Sequence, residues 1–321
     1  MNTRYWTSCF LVACWLSAHY ASAIDIETVL IGNPGADGHN NVGAETPGIV
    51  DDAFRVGKYE VTNQQYTEFL NAVDPTGNNS LKLYHLHMGI NNPGGIRRET
   101  GGASNGSWYS VIPGRGQYPV ILVSWYDSAR FTNWLHNGQG NGDTETGAYD
   151  IASHPLDRNA NARWFLPTRD EWVKAAYHSN DASNSFYFAY PTASDIAPTP
   201  SPPSALPNQA NIAKVLDGPT PVGSYPGSPS AYGTFDQAGN VREWTGGLTP
   251  SGSAGVQGGN WFNISPQLDS LNSRGYGVAT LEAISIGFRV ATIVPEPNST
   301  AMFLIACTAF AAIGRRQRRE H

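Results

Sequence analysis

Apolar residues recur at helical spacing in three short segments of the chain. Within each segment the apolar side chains lie three or four residues apart, so that they fall on or near one face of a helix. Each segment is bounded by polar or glycine-rich sequence in which this period stops. The pattern predicts helices over Asn63–Val73, Trp125–His136 and Arg169–His178.

A capping pattern marks the start of each predicted helix. Thr62, Ser124 and Thr168 each stand directly before a helix, and each is followed three residues later by Gln, Asp or Glu. In a capping box these two side chains satisfy backbone N–H groups that lack a partner in the first turn. A short extended stretch is predicted before each helix, namely Phe54–Val61, Pro119–Val123 and Arg163–Leu166.

Long irregular loops separate these elements. Asn91–Gln117 and Asn137–Asn161 are rich in Gly and Asn, and Thr192–Asn208 is rich in proline, which predicts an extended surface loop. Such connections are too long for a compact doubly wound sheet. With 34 Gly, 22 Pro and only 14% charged residues in 321, the interior is predicted to be one loop-rich α+β domain.

Both ends of the chain have the composition of sorting signals. Residues 1–23 carry Arg4, an apolar run and the small residues Ala21-Ser22-Ala23, which together predict a cleaved secretory signal peptide. Residues 294–321 contain Val294-Pro295-Glu296-Pro297, then an apolar stretch over 301–313 and a basic cluster over 315–319. That stretch is shorter than the ~20 residues that usually span a bilayer, and the basic cluster is expected on the cytoplasmic side.

The C-terminal tail resembles the bacterial PEP-CTERM sorting signal, with the Pro-Glu-Pro motif at 295–297. The resemblance implies an exosortase-type sorting protease as a partner, a transient membrane stage for the tail, and release to the cell surface or extracellular matrix. A retained tail anchor is the alternative.

Removal of both ends changes the charge and the thiol content of the chain. The mature domain, residues 24–293, loses five of the 20 Lys and Arg residues and two of the 26 Asp and Glu residues, which leaves a formal charge of −9. An acidic surface argues against nucleic acid as a partner and is compatible with cation binding. The cysteines Cys9, Cys14 and Cys307 all lie outside this domain.

Six sequence blocks in order resemble the formylglycine-generating enzyme (sulfatase-modifying factor) family. The resemblance covers about residues 50–292 and implies an irregular, loop-rich α+β fold related to the C-type lectin-like architecture. Most of the aromatic and Gly-Phe-Arg content of the blocks is expected to pack in the core. The blocks are Val56–Asn63, Pro119–Asp127, Arg163–Trp172, Tyr232–Trp244, Gly258–Trp261 and Ile286–Val290.

The resemblance implies copper chemistry that this chain lacks the ligands to perform. The family oxidises a substrate cysteine to formylglycine with O2, and it holds copper through two cysteine thiolates, which are soft ligands suited to Cu(I). Carried onto this chain, those positions are Asn263 and Leu268. Neither side chain can supply a thiolate, so copper and formylglycine generation are not expected, and whether the chain is an enzyme at all stays open.

Two other metals remain to be considered. Other members of the wider family are non-haem iron oxygenases with histidine ligands. In this chain only His85 and His87 are closely spaced, and a pair of surface histidines is a more ordinary interpretation of them than an iron site. The other candidate imidazoles are His39, His136, His154 and His178. Calcium instead takes six to eight oxygen ligands from carboxylates and backbone carbonyls.

The resemblance implies two calcium sites. The first would use side-chain oxygens of Asp236 and Glu243 and the carbonyls of Gly239 and Val241, unless the two acids merely cap turns. The second would use Asn211, the carbonyl of Ile212, Asp217 and the carbonyl of Pro219.

Two functions from different classes follow. The first is an exported, calcium-stabilised, non-catalytic domain that binds a glycan, peptide or protein at the cell surface. The aromatic loop segments Trp108-Tyr109 and Tyr187–Tyr190 could stack on sugars or belong to the core. The second is a metal-dependent oxidoreductase of the same family, with iron as its metal.

Overall fold

The computed structural model describes residues 23–35, 47–90, 92–104, 106–153, 157–183, 185–264 and 273–294. In these ranges the helices are α1 (Asn63–Val73), α2 (Trp125–His136) and α3 (Arg169–Tyr177). The strands are β1 (Thr28–Ile31), β2 (Phe54–Gly57), β3 (Ile96–Arg98), β4 (Tyr109–Val111), β5 (Trp164–Phe165), β6 (Thr199–Pro200), β7 (Gln209–Ala210), β8 (Arg242–Leu248), β9 (Ser253–Gln257), β10 (Gly275–Val278), β11 (Ile286–Phe288) and β12 (Ala291–Ile293).

Two small four-stranded sheets organise the fold. The first has the order β1-β2-β12-β5 and is antiparallel throughout, so that β12 from the end of the domain lies between two early strands. The second has the order β10-β9-β8-β11, in which β11 runs parallel to β8. Because β11 and β12 follow each other closely, the residues between them join the two sheets. The described residues thus form the irregular α+β fold that the sequence predicts.

The three predicted helices and their capping boxes are confirmed. In each box the Ser or Thr oxygen accepts from the backbone N–H three residues on, and the acidic or Gln side chain reaches back to the cap. Helix α3 ends one residue earlier than predicted, because His178 adopts extended backbone angles, with φ −68° and ψ 140°.

The stretch over Pro119–Val123 is not a strand, contrary to the extended conformation expected for it. It bonds to two separate segments, with Val120 N–H donating to Val61 O at 2.8 Å and Leu122 N–H donating to Ala283 O at 3.1 Å. Leu122 also has a positive φ of 60°, which interrupts extended backbone. The stretch is therefore a buried connection through the core.

Two other segments differ from the sequence prediction. The extended stretch Phe54–Val61 is a strand only as far as Gly57, and the loop Asn91–Gln117 contains the antiparallel pair of β3 and β4. These three-residue strands are too short to give a readable alternation of apolar and polar residues. The proline-rich loop lies on the surface as predicted, since Ile196 within it is 74% exposed.

Tryptophan side chains form the centre of the core, as predicted from the sequence blocks. Trp125, Trp172 and Trp244 are fully buried. Their indole N–H groups are all satisfied: Trp125 donates to Thr245 O at 2.9 Å, Trp244 to Val123 O at 2.9 Å, and Trp172 to a carboxylate described below. Buried indole groups need such partners, so the tryptophans fix the relative positions of the elements as well as filling space.

The aromatic loop segments belong mainly to the protein interior. Tyr109 is 1% exposed and donates its hydroxyl to Asp74 Oδ2 at 2.6 Å, which rules out stacking on a sugar. Trp108 packs partly buried against the same core. Tyr187 donates to Gly48 O at 3.0 Å and packs against the cluster around Trp172. Within the described ranges no helix has both the length and the apolar composition that crossing a membrane requires.

The Thr168→Ala substitution tests the capping box of α3. Thr168 Oγ1 accepts from Glu171 N at 3.2 Å, and loss of such a cap typically costs about 1 kcal/mol. We expect that decrease in the free energy of unfolding measured in urea. The control is Thr199→Ala, at an exposed strand residue, which should change it by less than about 0.5 kcal/mol. Equal effects of the two substitutions would contradict the capping role.

Candidate functional site

A buried ion pair lies where the two sheets meet. Glu243 in β8 and Arg289, between β11 and β12, are both fully buried. The guanidinium binds the carboxylate in a two-pronged geometry, with Nε 2.6 Å from Oε2 and Nη2 2.7 Å from Oε1. Trp172 in α3 donates its indole N–H to the same Oε2 at 2.7 Å. The pair therefore connects both sheets to a helix.

Arg289 also binds the backbone at the end of β2 and in the loop at Phe235. Its Nη1 donates to Gly57 O at 2.9 Å, and its Nη2 donates to Phe235 O at 2.9 Å. The guanidinium has five N–H donors in a fixed fork, and these contacts use both edges of it. The arginine near the end of the chain is thus a structural partner, as the sequence analysis expects.

Two further carboxylates face the same arginine. Glu60 and Asp236 are both buried, and each interacts electrostatically with Arg289 and Glu243. Glu60 Oε1 accepts from Asn240 Nδ2 at 3.0 Å, and Asp236 Oδ2 accepts from Gly223 N at 2.6 Å. Three carboxylates therefore share one guanidinium.

The excess of acid raises the pKa of both extra carboxyls. Burial, and then the charges of Asp236 and Glu243, raise the pKa of Glu60 well above its usual range. Burial is also the main cause that raises the pKa of Asp236 to about 6, against the hydrogen bond from Gly223 and the charge of Arg289. Sequence reasoning did not single out Glu60, although it lies in the first of the six blocks; the signal is an acid between apolar residues that fold inward.

The first predicted calcium set lies on the loop that leads into β8. Glu243 in this set already directs both carboxylate oxygens at Arg289 and Trp172. Asp236 and Gly239 have positive φ angles of 64° and 94°, which curl the loop tightly. Three groups of this set lie outside that ion pair, namely the carbonyls of Gly239 and Val241 and the carboxylate of Asp236.

The second predicted calcium set contains a polar atom that lacks a partner. Asn211 is buried, its Nδ2 donates to Gly218 O at 3.0 Å, and its Oδ1 has no hydrogen-bond partner among the described residues. A buried amide oxygen without a partner is costly, and it is the type of hard oxygen that Ca²⁺ takes. Of this set, the Asn211 oxygen is the one that fits a calcium ligand. Asp217, by contrast, has an exposed side chain.

The two calcium sets are neighbours in the fold. A Cβ on Gly239 would lie 2.4 Å from Asn211 O, and Asn240 N–H donates to that same carbonyl at 3.1 Å. Glycine is needed at position 239 for this close approach as well as for its positive φ. The sequence predicts each set separately, and the structure brings them together around Asn211.

The position that corresponds to the first copper cysteine has a structural role. Asn263 Oδ1 accepts from Asn260 N at 2.9 Å, and Asn260 Oδ1 accepts from Asn263 N at 3.2 Å. Asn263 O also accepts from Ala213 N at 2.7 Å, next to the second calcium set. The asparagine therefore closes a turn where the family has a thiolate. The second position, Leu268, lies outside the described residues.

The histidines do not assemble into one site in the described part of the chain. His85 and His87 are close, with ring centroids 5.0 Å apart, and His85 Nδ1 accepts from His87 N at 3.1 Å. His178 is buried and bonded to Ser185 Oγ at 3.0 Å, while His136 Nδ1 accepts from the backbone of Arg163. No three His, Cys, Asp or Glu side chains in the described ranges are grouped so as to hold a metal ion. His39 and His154 lie outside those ranges.

Comparison with protein families decides the classification. The family model described as the sulfatase-modifying factor enzyme 1-like domain matches residues 28–294. The chain belongs to this family. The family resemblance of the six blocks is thereby confirmed, and the match extends over both sheets and all three helices.

Relatives of the chain in this family include proteins with different names. Hercynine oxygenase of Mycolicibacterium smegmatis is 28% identical over 215 residues, 63% of this chain and 39% of that protein. Serine/threonine-protein kinase pkn1 of Chlamydia caviae is 25% identical over 192 residues, 60% of this chain and 22% of that protein. The chain thus spans about a fifth to two fifths of the length of these relatives.

The structure of CarF is similar to that of this chain. The TM-score is 0.54, and the identity is 21% over 85% of this chain and 100% of CarF. The similarity shows that the two proteins share a fold.

The Glu243→Gln substitution tests the buried ion pair. It leaves Arg289 as a buried cation without its main counter-charge, and breaking such a pair costs about 3–5 kcal/mol. We expect that loss in the free energy of unfolding measured by urea titration. The control is Glu27→Gln in the exposed pair with Lys58, which should cost at most about 1 kcal/mol. A cost for Glu243→Gln as small as the control would contradict the role of the pair.

The buried acids Asp127 and Asp236 should lower the stability of the protein between about pH 5 and pH 8, and His85, His136 and His178, whose pKa values burial lowers, act in the opposite direction over part of this interval. Burial raises the pKa of Asp127 to about 7, and that of Asp236 to about 6, from an ordinary value of 3.8. A carboxyl with a raised folded-state pKa contributes stability below its unfolded pKa and loses it as pH rises through the folded value. Hydrogen bonds lower the pKa values of Glu145 and Asp143. These two carboxyls therefore change the free energy of unfolding only at more acid pH.

Calorimetry in calcium-free buffer is the measurement for this pH dependence. We expect the melting temperature at about pH 8, relative to that at about pH 5, to be lower in the unchanged protein than in Asp127→Asn. The exposed Asp157→Asn control should behave like the unchanged protein. The same change in melting temperature in Asp127→Asn and in the unchanged protein would contradict the assignment of Asp127.

Proposed function

We propose that the chain is an exported member of the sulfatase-modifying factor family that has lost copper-thiolate oxidation and acts as a calcium-stabilised binding protein at the cell surface. The observation that carries this proposal is Asn263, which closes a turn through its side chain at a position where the family chemistry needs a cysteine. The other two features, export and calcium, are argued separately below.

Loss of the oxidation is supported by the inventory of thiols. The cysteines Cys9, Cys14 and Cys307 lie in the predicted signal peptide and in the predicted sorting tail. A Cu(I) site needs soft sulfur ligands, and residues 24–293 contain no Cys and a single Met, Met88. Met88 is buried in the core, so it does not replace a thiolate pair.

Calcium stabilisation is supported by the loop around Asn211. The Asn211 Oδ1 atom lacks a partner, and the carbonyls of Ile212 and Pro219 belong to the same short segment. Asp236 in the neighbouring loop adds a carboxylate with a raised pKa, which a cation would lower. We propose that Asn211, Ile212, Asp217 and Pro219 hold one calcium ion, and that Asp236, Gly239, Val241 and Glu243 belong to a second site that competes with the Arg289 ion pair for Glu243.

Calcium binding should raise thermal stability through Asn211. A ligand at 100 times its dissociation constant adds about 2.7 kcal/mol, which for a domain of this size shifts the melting temperature by several degrees. We expect this shift between excess calcium and chelator in the unchanged protein and its loss in Asn211→Ala. The control Asn71→Ala removes an unrelated amide that binds the β4 backbone. It should lower stability but keep the calcium-dependent shift. The same shift in Asn211→Ala would contradict the site.

Export is supported by the two terminal patterns. We propose that residues 1–23 are removed as a signal peptide and that the tail from residue 294 is processed by an exosortase-type protease. Ile24 N–H donates to Gln139 Oε1 at 2.7 Å. The first residue after the proposed cleavage site is therefore attached to the domain. The ligand class expected at the surface is a glycan, a peptide or another protein.

A non-haem metal-dependent oxidoreductase is the second candidate function. It is favoured by the similarity to hercynine oxygenase, a protein named for an oxygenase activity. The closest pair of imidazoles available for it is His85 and His87. Iron sites of this type need a third ligand, and the described residues near this pair supply none in a metal-binding group.

Metal analysis of the purified, tag-free protein, combined with an oxygen electrode, separates the two functions. We expect calcium, no stoichiometric iron or copper, and no O2 consumption above buffer. The His85→Ala/His87→Ala double variant should then show the same metal content as the unchanged protein. Stoichiometric iron or copper with O2 consumption would overturn the non-catalytic role and establish the oxidoreductase.

A further inference from the structure

The first residue of the predicted mature domain is held by a side chain that lies far along the sequence. Ile24 N–H donates to Gln139 Oε1 at 2.7 Å, and Gln139 Nε2 donates to Ile24 O at 3.0 Å. One side-chain amide, which carries both a donor and an acceptor, thus satisfies both backbone groups of one residue. The two residues are 115 positions apart, so the contact forms only in the folded chain.

The backbone of Gln139 takes a conformation that glycine adopts more easily. Gln139 has a positive φ of 66°, and its neighbours Gly138 and Gly140 have φ angles of 87° and 60°. The turn is fixed in this form, because Gln139 N–H donates to Trp134 O at 2.9 Å and Trp134 Nε1 donates to Gly140 O at 2.8 Å. A side chain in the left-handed region costs free energy, so for the turn alone glycine would be the more stable residue at 139. A strained backbone of this kind points to a role for the side chain.

The residues that follow are also fixed to the domain. Gln65 Nε2 donates to Asp25 O at 3.0 Å, and Lys58 N–H donates to Glu27 O at 2.8 Å. Strand β1 begins at the next residue and pairs with β2. The segment 24–27 is therefore docked on the domain along its whole length.

The predicted cleavage site of the signal peptide directly precedes the contact with Gln139, between Ala23 and Ile24. Ala23 is exposed, whereas Ile24 packs partly buried against the core. In a chain that begins at Ile24, an α-ammonium supplies the N–H donor, and its charge strengthens the hydrogen bond to Gln139. We propose that Gln139 is the binding site for the N-terminal amino group of the mature chain and protects this end of the chain from aminopeptidases.

Protection follows from what an aminopeptidase requires of its substrate. Such an enzyme binds the free amino group and the side chain of the first residue and hydrolyses the peptide bond that follows. In the docked chain both backbone groups of Ile24 are bonded to Gln139, and its side chain packs on the core. The chain end must therefore leave the domain before each cleavage, so that the rate of trimming follows the fraction of undocked chain. The role of Gln139 rests on the proposed export, since it needs cleavage after Ala23.

N-terminal trimming of the exported protein tests the proposal. The full chain is produced with its own signal peptide, and the purified exported protein is incubated with an aminopeptidase of broad specificity while intact mass spectrometry follows its N-terminus. The variants are Gln139→Gly and Gln139→Met, of which the second keeps the length of the side chain without its hydrogen bonds. The control is Asn141→Ala, at an exposed residue of the same loop.

We expect the unchanged protein and Asn141→Ala to keep Ile24 as their first residue. Both Gln139 variants should lose Ile24 about tenfold faster, because two hydrogen bonds of ordinary strength no longer hold it. Gln139→Gly should unfold at nearly the same temperature as the unchanged protein, since glycine takes the positive φ without strain and so offsets the lost hydrogen bonds. Faster trimming of this variant therefore does not come from global unfolding.

Equal trimming of Gln139→Gly and the unchanged protein would overturn the proposal. Loss of Ile24 from the unchanged protein as fast as from an unstructured peptide of the same first residues would also overturn it. Failure of the proposed export gives a different result, because the exported protein would then not begin at Ile24 before the aminopeptidase is added, and this would overturn the cleavage after Ala23 together with the role of Gln139.

Discussion

The ion pair between Glu243 and Arg289 is the interaction on which the rest of the structure depends. It lies at the junction of the two sheets, and the arginine also binds the backbone after β2 and at Phe235. A domain with little regular secondary structure has few long ladders of hydrogen bonds to hold its loops. Here a single buried guanidinium satisfies carbonyls at the end of β2 and in the loop at Phe235, and its carboxylate partner fixes an indole of α3.

This pair also explains the surplus of acid around it. Glu60 and Asp236 face the same arginine with no second cation among the described side chains that they contact. One side of this acidic region borders the loop with Asn211, for which we propose calcium. That proposal follows from one physical condition, namely a buried amide oxygen that the protein itself does not satisfy.

Local signals made the helices predictable and left the strands largely unpredictable. Capping boxes such as Thr62 with Gln65 depend only on residues three apart, and all three were identified with their bounds nearly correct. Strands of two to four residues owe their existence to partners far along the chain, as β12 does to β2 and β5. The Pro119–Val123 stretch has the apolar content of a strand but takes its hydrogen bonds from two separate segments.

The candidate site was predictable where it follows the family blocks and not where it depends on packing. The proposed calcium residues and the replacement at Asn263 come from the family resemblance, whereas the proximity of Gly239 to Asn211 and the unsatisfied oxygen of Glu60 arise only in the folded chain. For Tyr109 the sequence left sugar stacking and core packing open, and the folded chain makes it a core residue with a satisfied hydroxyl.

The central claim is that this family member keeps the fold without the cysteine-dependent oxidation. It is tested most directly by incubating the purified protein with copper, O2 and a sulfatase-type Cys-x-Pro-x-Arg peptide, and following the peptide by mass spectrometry. The structure of the turn at Asn263 predicts that the peptide cysteine is recovered unchanged at every time point. Conversion of that cysteine to the formylglycine aldehyde at a rate above the protein-free control would contradict the account.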